Sequence, residues 1–138
     1  MIAEIKQRLL ESGTKFALVE GATELAQVKD RPTALPAAYV IPLEEVSSPN
    51  SRATGPILQR TEADIGVVII LENVGSADGD AVTDELETVK NWTRRQLVGL
   101  EIGDADPIEH VAGEIIKARN GTVWFQHTFS VAYFEQEE

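Results

Sequence analysis

Two stretches of the chain repeat apolar residues at helical spacing. In residues 2–11, Ile2, Ile5 and Leu9 are separated by polar and charged positions, and Ser12-Gly13 is a plausible stop. The second stretch covers residues 81–98, where the apolar stripe is Val82, Leu86, Val89, Thr93 and Leu97, with Trp92 beside it. Asp80 suits the N-cap of this helix and Gly99 its C-terminal end. The pattern therefore predicts two helices, of which the second is the longer.

Five other stretches are strand candidates: residues 15–20, 37–41, 65–71, 108–118 and 122–134. The sequence of residues 65–71, IGVVIIL, is typical of a central strand buried on both faces, and residues 59–64 extend it as an exposed segment. Pro42 predicts a strand end, a bulge or a sheet edge, because proline cannot donate to a strand ladder. Asn120-Gly121 predicts a tight hairpin between the last two strands.

Alternation in the last strand separates a core face from an outer face. The core face is predicted to carry Val123, Phe125, His127, Phe129, Val131 and Tyr133. Residues 21–31 fit either a short helix or irregular chain, residues 74–79 a turn, and residues 135–138 an acidic, frayed tail. The elements together predict one α+β domain over residues 1–138: a mainly antiparallel sheet of about four to five strands packed against two helices, with a long loop between two strands.

That long loop is the polar stretch SSPNSRATGP, residues 47–56. Hairpin loops usually have about two to five residues, and longer ones are often functional or disordered. This one has no acid, no aromatic residue and a single charge, Arg52, so we expect it to be flexible and to become ordered against another molecule. The candidate interface residues are Ser47, Ser48, Asn50, Ser51, Arg52 and Thr54.

The charge of the chain limits its possible partners. The formal net charge is −11, and six acids but no lysine or arginine lie between Glu72 and Glu87. Such a chain lacks the basic patch with which proteins grip nucleic-acid phosphates, and it repels DNA non-specifically. We expect a solvated acidic face. The N-terminus is amphipathic rather than a secretory signal, and no apolar run is long enough to span a membrane.

Catalytic and metal-binding patterns are weak. The absence of cysteine excludes a disulfide scaffold and a cysteine nucleophile, and the pattern around Asp78-Gly79-Asp80 fails as a calcium loop because position 82 is valine. His127 is predicted to be a structural histidine, and His110 to be solvated or paired with a carboxylate. Paired carboxylates on one strand face, for example Glu62 and Asp64, could perform acid–base chemistry, but alternating acids of a strand usually form a solvated face. The sequence predicts no catalytic residue, no metal and no cofactor.

The order and spacing of these elements resemble the tail terminator proteins of long-tailed bacteriophages. The resemblance rests on a first helix ending in RLLESG, the strand PAAYVIPLEE, the polar loop and the long strand QRTEADIGVVIILEN. It continues with a tryptophan-containing helix ending in QLVGL and a final strand of pattern W-F-x-H-x-F-x-V-x-Y, and it covers residues 1–134.

The resemblance implies a structural virion protein of the tail, made in the cytoplasm of the bacterial host, rather than an enzyme. Family members assemble into a homo-hexameric ring that caps the tail tube, stops its polymerisation and offers a docking face to the head-side connector. DNA passes through the lumen without specific binding, and no membrane is involved. Two alternatives stay open: another neck or tail-completion subunit, or a small enzyme or ligand-binding domain with a pocket around Glu62, Asp64 or His127.

Overall fold

One five-stranded sheet organises the chain, in the order β1-β2-β3-β5-β4. A computed structural model describes residues 1–29, 31–72, 80–119 and 121–137. The strands are β1 (Leu18–Gly21), β2 (Ala37–Ser47), β3 (Leu58–Glu72), β4 (Glu109–Arg119) and β5 (Thr122–Gln136). The helices are α1 (Ile2–Leu9), α2 (Ala22–Ala26) and α3 (Asp80–Leu97). The predicted α+β class is confirmed.

Only the β1–β2 pair is parallel, whereas β2–β3, β3–β5 and β4–β5 are antiparallel. The sheet is therefore mixed but mainly antiparallel. The parallel pair needs a crossover, and α2 provides part of it within the segment that the sequence left undecided between helix and irregular chain.

The face of the sheet that α1 and α3 cover, here called the helix face, carries the larger core. Its β3 residues include Ile65, Val67 and Ile69, all of which are buried. Ile5 and Leu9 of α1 pack on this face, as do the predicted stripe residues of α3, Leu86, Val89, Thr93 and Leu97, which are buried with Trp92. The Arg8 Nε donates to the Gln96 carbonyl at 3.2 Å and joins the two helices. The helical periodicity predicted the packing of these residues correctly, whereas the side chain of Val82, the first residue of the predicted stripe, is outside the described part.

The other face of the sheet, here called the back face, is covered only in part by the described residues. A smaller core lies there under α2 and the chain that follows it: Ala37, Tyr39, Val68, Ile70 and Trp124, with Leu25, Val28 and Leu35 against them. Farther along the strands, this face carries polar and charged residues such as Glu62 and Asp64 and is open to solvent. Residues 65–71 are buried throughout, as predicted for a central strand.

Several boundaries differ from the sequence prediction. Strand β2 passes through Pro42 and continues to Ser47, with the predicted irregularity realised as a register shift between Pro42 and Glu44. In the C-terminal tail predicted as frayed, Glu135 and Gln136 belong to β5, where Gln136 pairs with Leu58, while Glu138 lies outside the described residues. Gly121 has φ +73°, as a tight hairpin requires, whereas Asn120 and the predicted turn at 74–79 lie outside the described residues. No helix in the described ranges is long and apolar enough to cross a membrane.

Candidate assembly surfaces

The polar loop between β2 and β3 is held by its own hydrogen bonds. The Asn50 side-chain oxygen accepts from the Leu58 amide at 2.9 Å and from the Arg52 amide at 3.2 Å. The Asn50 side-chain nitrogen donates to the Arg52 carbonyl, and the Ser51 amide donates to the Leu58 carbonyl at 3.0 Å. An asparagine that bonds backbone groups on both sides of a turn fixes its shape. The loop therefore has a defined local conformation.

The loop also contacts the end of the last strand. An Arg52 guanidinium nitrogen lies 3.4 Å from the side-chain oxygen of Gln136, and the Glu137 amide donates to the Ile57 carbonyl at 2.8 Å. The structure thus brings Ser48, Asn50, Ser51 and Arg52 together at one end of the sheet. Ser47 belongs to β2, where its hydroxyl lies 2.8 Å from that of Thr61, and Thr54 is exposed in the outer part of the loop.

An acid-rich groove of about 360 Å³ lies on the open part of the back face. Its lining residues are Arg60, Glu62, Asp64, Asp106, Pro107, Glu109, Val111, Ser130 and Ala132. Arg60 is ion-paired with Glu62 and lies 3.8 Å from Asp106. The predicted pair Glu62 and Asp64 does share this groove, but Glu62 is exposed and already bound to a cation. The groove is a negatively charged surface with one neutralising arginine, and its lining contains no histidine.

His127 lies on the helix face, buried among aromatic rings. Its Nε2 lies 3.1 Å from the Lys90 carbonyl of α3, and its Nδ1 lies 2.9 Å from His110 Nε2. Because a carbonyl only accepts, His127 Nε2 carries the proton and Nδ1 accepts from His110. Burial lowers the pKa of His127 to about 4, and burial together with Arg94 and Lys90 lowers the pKa of His110.

These contacts agree with a structural role for His127 and correct the prediction for His110. His110 is partly buried, and its Nε2 contacts the other histidine rather than a carboxylate. The two imidazoles meet because β4 and β5 are neighbours with a register shift between His110 and Ala112. The sequence alone does not specify that shift, so it could not bring the two rings together.

Strand β4 is an exposed edge that the sequence did not reveal. It pairs with β5 on one side, and Val111, Ile115 and Ile116 are 55%, 58% and 43% exposed. Large aliphatic side chains grouped on an unpaired strand are typical of a surface that binds another protein. The adjacent pair Ile115-Ile116, between Glu114 and Lys117, was the available signal.

The fold is an α+β sheet with an exposed apolar edge strand, and exposed apolar patches mark interaction sites. The profile of the family described as phage tail terminator protein matches residues 2–137, so the chain belongs to this family. The predicted resemblance is thereby confirmed. Membership makes the chain a structural protein of the virion tail.

The fold is also similar to that of a known virion component. A chain in a solved structure described as the virion of a native gene transfer agent particle superposes with a TM-score of 0.58. The match covers 100% of this chain and 95% of the other, at 16% sequence identity. At that identity the likeness concerns the fold. No curated protein sequence matches the chain.

Proposed function

We propose that the protein is a ring-forming tail terminator, which caps the tail tube, stops its polymerisation and offers a docking surface to the head-side connector. The observation that carries this proposal is the family match over residues 2–137. The ring is a homo-hexamer, and its further partners are the tail tube protein and the head-side neck protein. Exposed aliphatic side chains on β4 support the self-association, because such surfaces bind other proteins.

The acidic character of the chain suits a ring around a DNA path. With a net charge of −11, a ring of identical copies repels the duplex rather than gripping it. The groove that holds Glu62, Asp64, Asp106 and Glu109 is one local source of this negative charge. DNA therefore passes through the lumen without specific binding.

The loop of residues 47–56 contacts a neighbouring copy or the tail tube. The hydrogen bonds around Asn50 support this role, with one difference from the sequence-based expectation. The loop is preorganised for the contact and does not first become ordered in it. A preformed loop loses less conformational entropy on binding than a disordered one. Ser48, Ser51, Arg52 and Thr54 supply polar groups for the contact, and Ser47 fixes the start of the loop in β2.

Two experiments test the proposal. Electron microscopy of particles made without the protein should show overlong tails that lack heads. Tails of normal length that fail to join heads would instead indicate a neck subunit, and normal complete particles would exclude both roles.

The role of the loop is tested by light scattering of the purified protein over a range of concentrations. The full chain is compared with a variant lacking residues 48–55 and with one carrying a glycine-serine loop of equal length. A hexamer that both variants lose supports the loop contact. A hexamer that both retain contradicts it.

A further inference from the structure

The sheet has two free strand edges, at opposite sides. Strand β4 ends the order on one side. On the other side β1 pairs only with residues 37–40 of β2, so the outer side of residues 41–47 has no partner strand among the described residues. A ring of identical copies needs two different contact surfaces on each copy. The free edges at β4 and at residues 41–47 of β2 can supply these two surfaces.

The edge at β4 projects aliphatic side chains. Ile115 pairs with Phe125, whose ring lies in the core under the helices, so Ile115 points to the helix face. The helices nevertheless leave Ile115 58% exposed. Ile116 lies at the second register shift of the strand and is also exposed. This edge presents apolar surface that nothing in the described chain covers.

The edge at β2 has a matching hollow of about 340 Å³ beside it. Its lining residues are Met1, Ile2, Pro42, Leu43, Glu44, Glu45, Ala63, Asp64 and Ile65. Ala63 and Ile65 belong to the helix face by strand alternation, and Met1 and Ile2 begin α1 above them. The hollow therefore lies on the same face of the sheet as Ile115.

We infer that β4 of one copy docks against the free part of β2 of the next copy, with Ile115 and Ile116 in this hollow. The inference rests on the proposed ring and names the contact between its copies. Within one copy β2 and β4 run in opposite directions, because each is separated from the other by β3 and β5 in an antiparallel series. A sheet continued from copy to copy in the same sense therefore brings the two edges together as antiparallel strands.

Charge agrees with this orientation. Glu44 pairs with Asp64 and Lys117 with Trp124, so both point to the back face. The Lys117 ammonium lies 3.7 Å from the centre of the Trp124 ring, which belongs to β5, the strand next to the β4 edge. In the docked arrangement Lys117 of one copy faces the acidic rim of the next. A contact of β4 with a second β4 would instead leave the hollow empty and bring Lys117 no acidic partner from the β2 edge.

The register shifts in both strands make the contact selective. They lie at Val111 and Ile116 in β4 and between Pro42 and Glu44 in β2. Regular pairing is thereby limited to short stretches, which disfavours uncontrolled edge-to-edge stacking. The fit of Ile115 and Ile116 into the hollow then determines which strand edge β4 binds.

Thiol crosslinking tests this contact directly, because the chain contains no cysteine. Ile115→Cys and Glu45→Cys are combined in one chain, since both positions are exposed on the helix face, and are treated with a short bismaleimide. We expect a ladder of covalent multimers that ends at the closed ring. The matched control combines Ile115→Cys with Asn91→Cys on the exposed side of α3 and should give no ladder.

Other results would overturn the inference. Dimers from Ile115→Cys alone would indicate that β4 pairs with itself. A hexamer seen by light scattering without a ladder would overturn the β2–β4 contact while leaving the proposed function intact. A monomer without a ladder would also overturn the contact. The proposed function fails separately, if particles made without the protein have tails of normal length.

A charged variant gives a second readout. Ile115→Asp with Ile116→Asp should weaken self-association at least tenfold and leave the midpoint of urea unfolding unchanged, because both side chains are exposed. Unchanged association in the folded variant would overturn the inference.

Discussion

Strands β3 and β4 are both rich in β-branched residues, yet they use them differently. In β3 every residue from 65 to 71 is buried, because β2 and β5 flank the strand and both faces are covered there. In β4 every residue from 111 to 116 is exposed, because β5 alone flanks it and the helices do not cover it. Position in the sheet, rather than composition, decides whether an aliphatic side chain supports folding or remains available for assembly.

The most direct way to break this comparison is the same substitution in both strands. Ile69→Ala removes a side chain that is fully buried, and we expect it to lower the free energy of unfolding by about 2–5 kcal/mol. Ile115→Ala is the matched control and should change it by less than about 0.5 kcal/mol, because the side chain is mostly exposed. Urea unfolding followed by circular dichroism measures both. Similar losses at the two positions would contradict the assignment of β4 as a free edge.

Acidification tests β5, the strand between β3 and β4, where His127 contacts both α3 and β4. The pKa of His127 is about 4 in the folded chain and near 6.5 when unfolded, so the unfolded state binds more protons between these values. Stability is therefore complete above pH 6.5 and falls as the pH drops towards about 4. One pKa unit corresponds to about 1.4 kcal/mol, so the total loss attributable to this group is about 3 kcal/mol.

The control for acidification is His127→Gln, which can still donate to the Lys90 carbonyl but does not titrate. Urea unfolding at a series of pH values should show a flatter dependence for this variant between pH 6.5 and 4. Equal slopes for the variant and the natural chain would mean that His127 is not held neutral by burial.

The sequence predicted the buried part of the molecule well. The apolar pattern of α3 and of the run IGVVIIL indicates by itself which side chains are buried, so local patterns were sufficient there. Pro42 likewise predicted an irregularity in β2, because proline has no backbone N–H to donate to a strand ladder. The edge character of β4 and the His110–His127 contact depend on strand order and on register shifts, which are set by distant parts of the chain. Local patterns hold no information on either.

The candidate loop shows the same limit. Its length and polarity identified residues 47–56 as a break between strands, but not the hydrogen bonds that Asn50 makes with Leu58 and Arg52. The contact with the end of β5 was equally hidden, because it depends on β5 extending to Gln136. Composition therefore located the loop but not the contacts that its residues make.

Substitution of Gly113 tests how closely β4 packs against β5, and so how far β4 contributes to stability despite its exposure. A Cβ at this position would lie 2.7 Å from Phe125 Cζ, so the ring of Phe125 occupies the space that other residues would need. We expect Gly113→Ala to lower the free energy of unfolding by about 1–3 kcal/mol, because the buried ring has to shift. Phe125→Leu should relieve the clash, so a double-mutant cycle should show a favourable coupling between the two substitutions. Additive losses would mean that the ring and the glycine do not compete for space.

The smallest change in the free energy of unfolding is expected at the polar end of the sheet. There the loop of residues 47–56 is held by its own hydrogen bonds, unlike the two strand edges. Asn50→Ala removes the side chain that bonds Leu58 and Arg52, and we expect it to cost about 1 kcal/mol, since water replaces part of these exposed hydrogen bonds. Thr54→Ala, in the same loop and exposed, is the matched control and should change the free energy of unfolding by less than about 0.5 kcal/mol. Urea unfolding measures both variants. An Asn50→Ala variant as stable as the control would mean that these hydrogen bonds do not hold the loop, and ordering of residues 47–56 would then have to come from a partner.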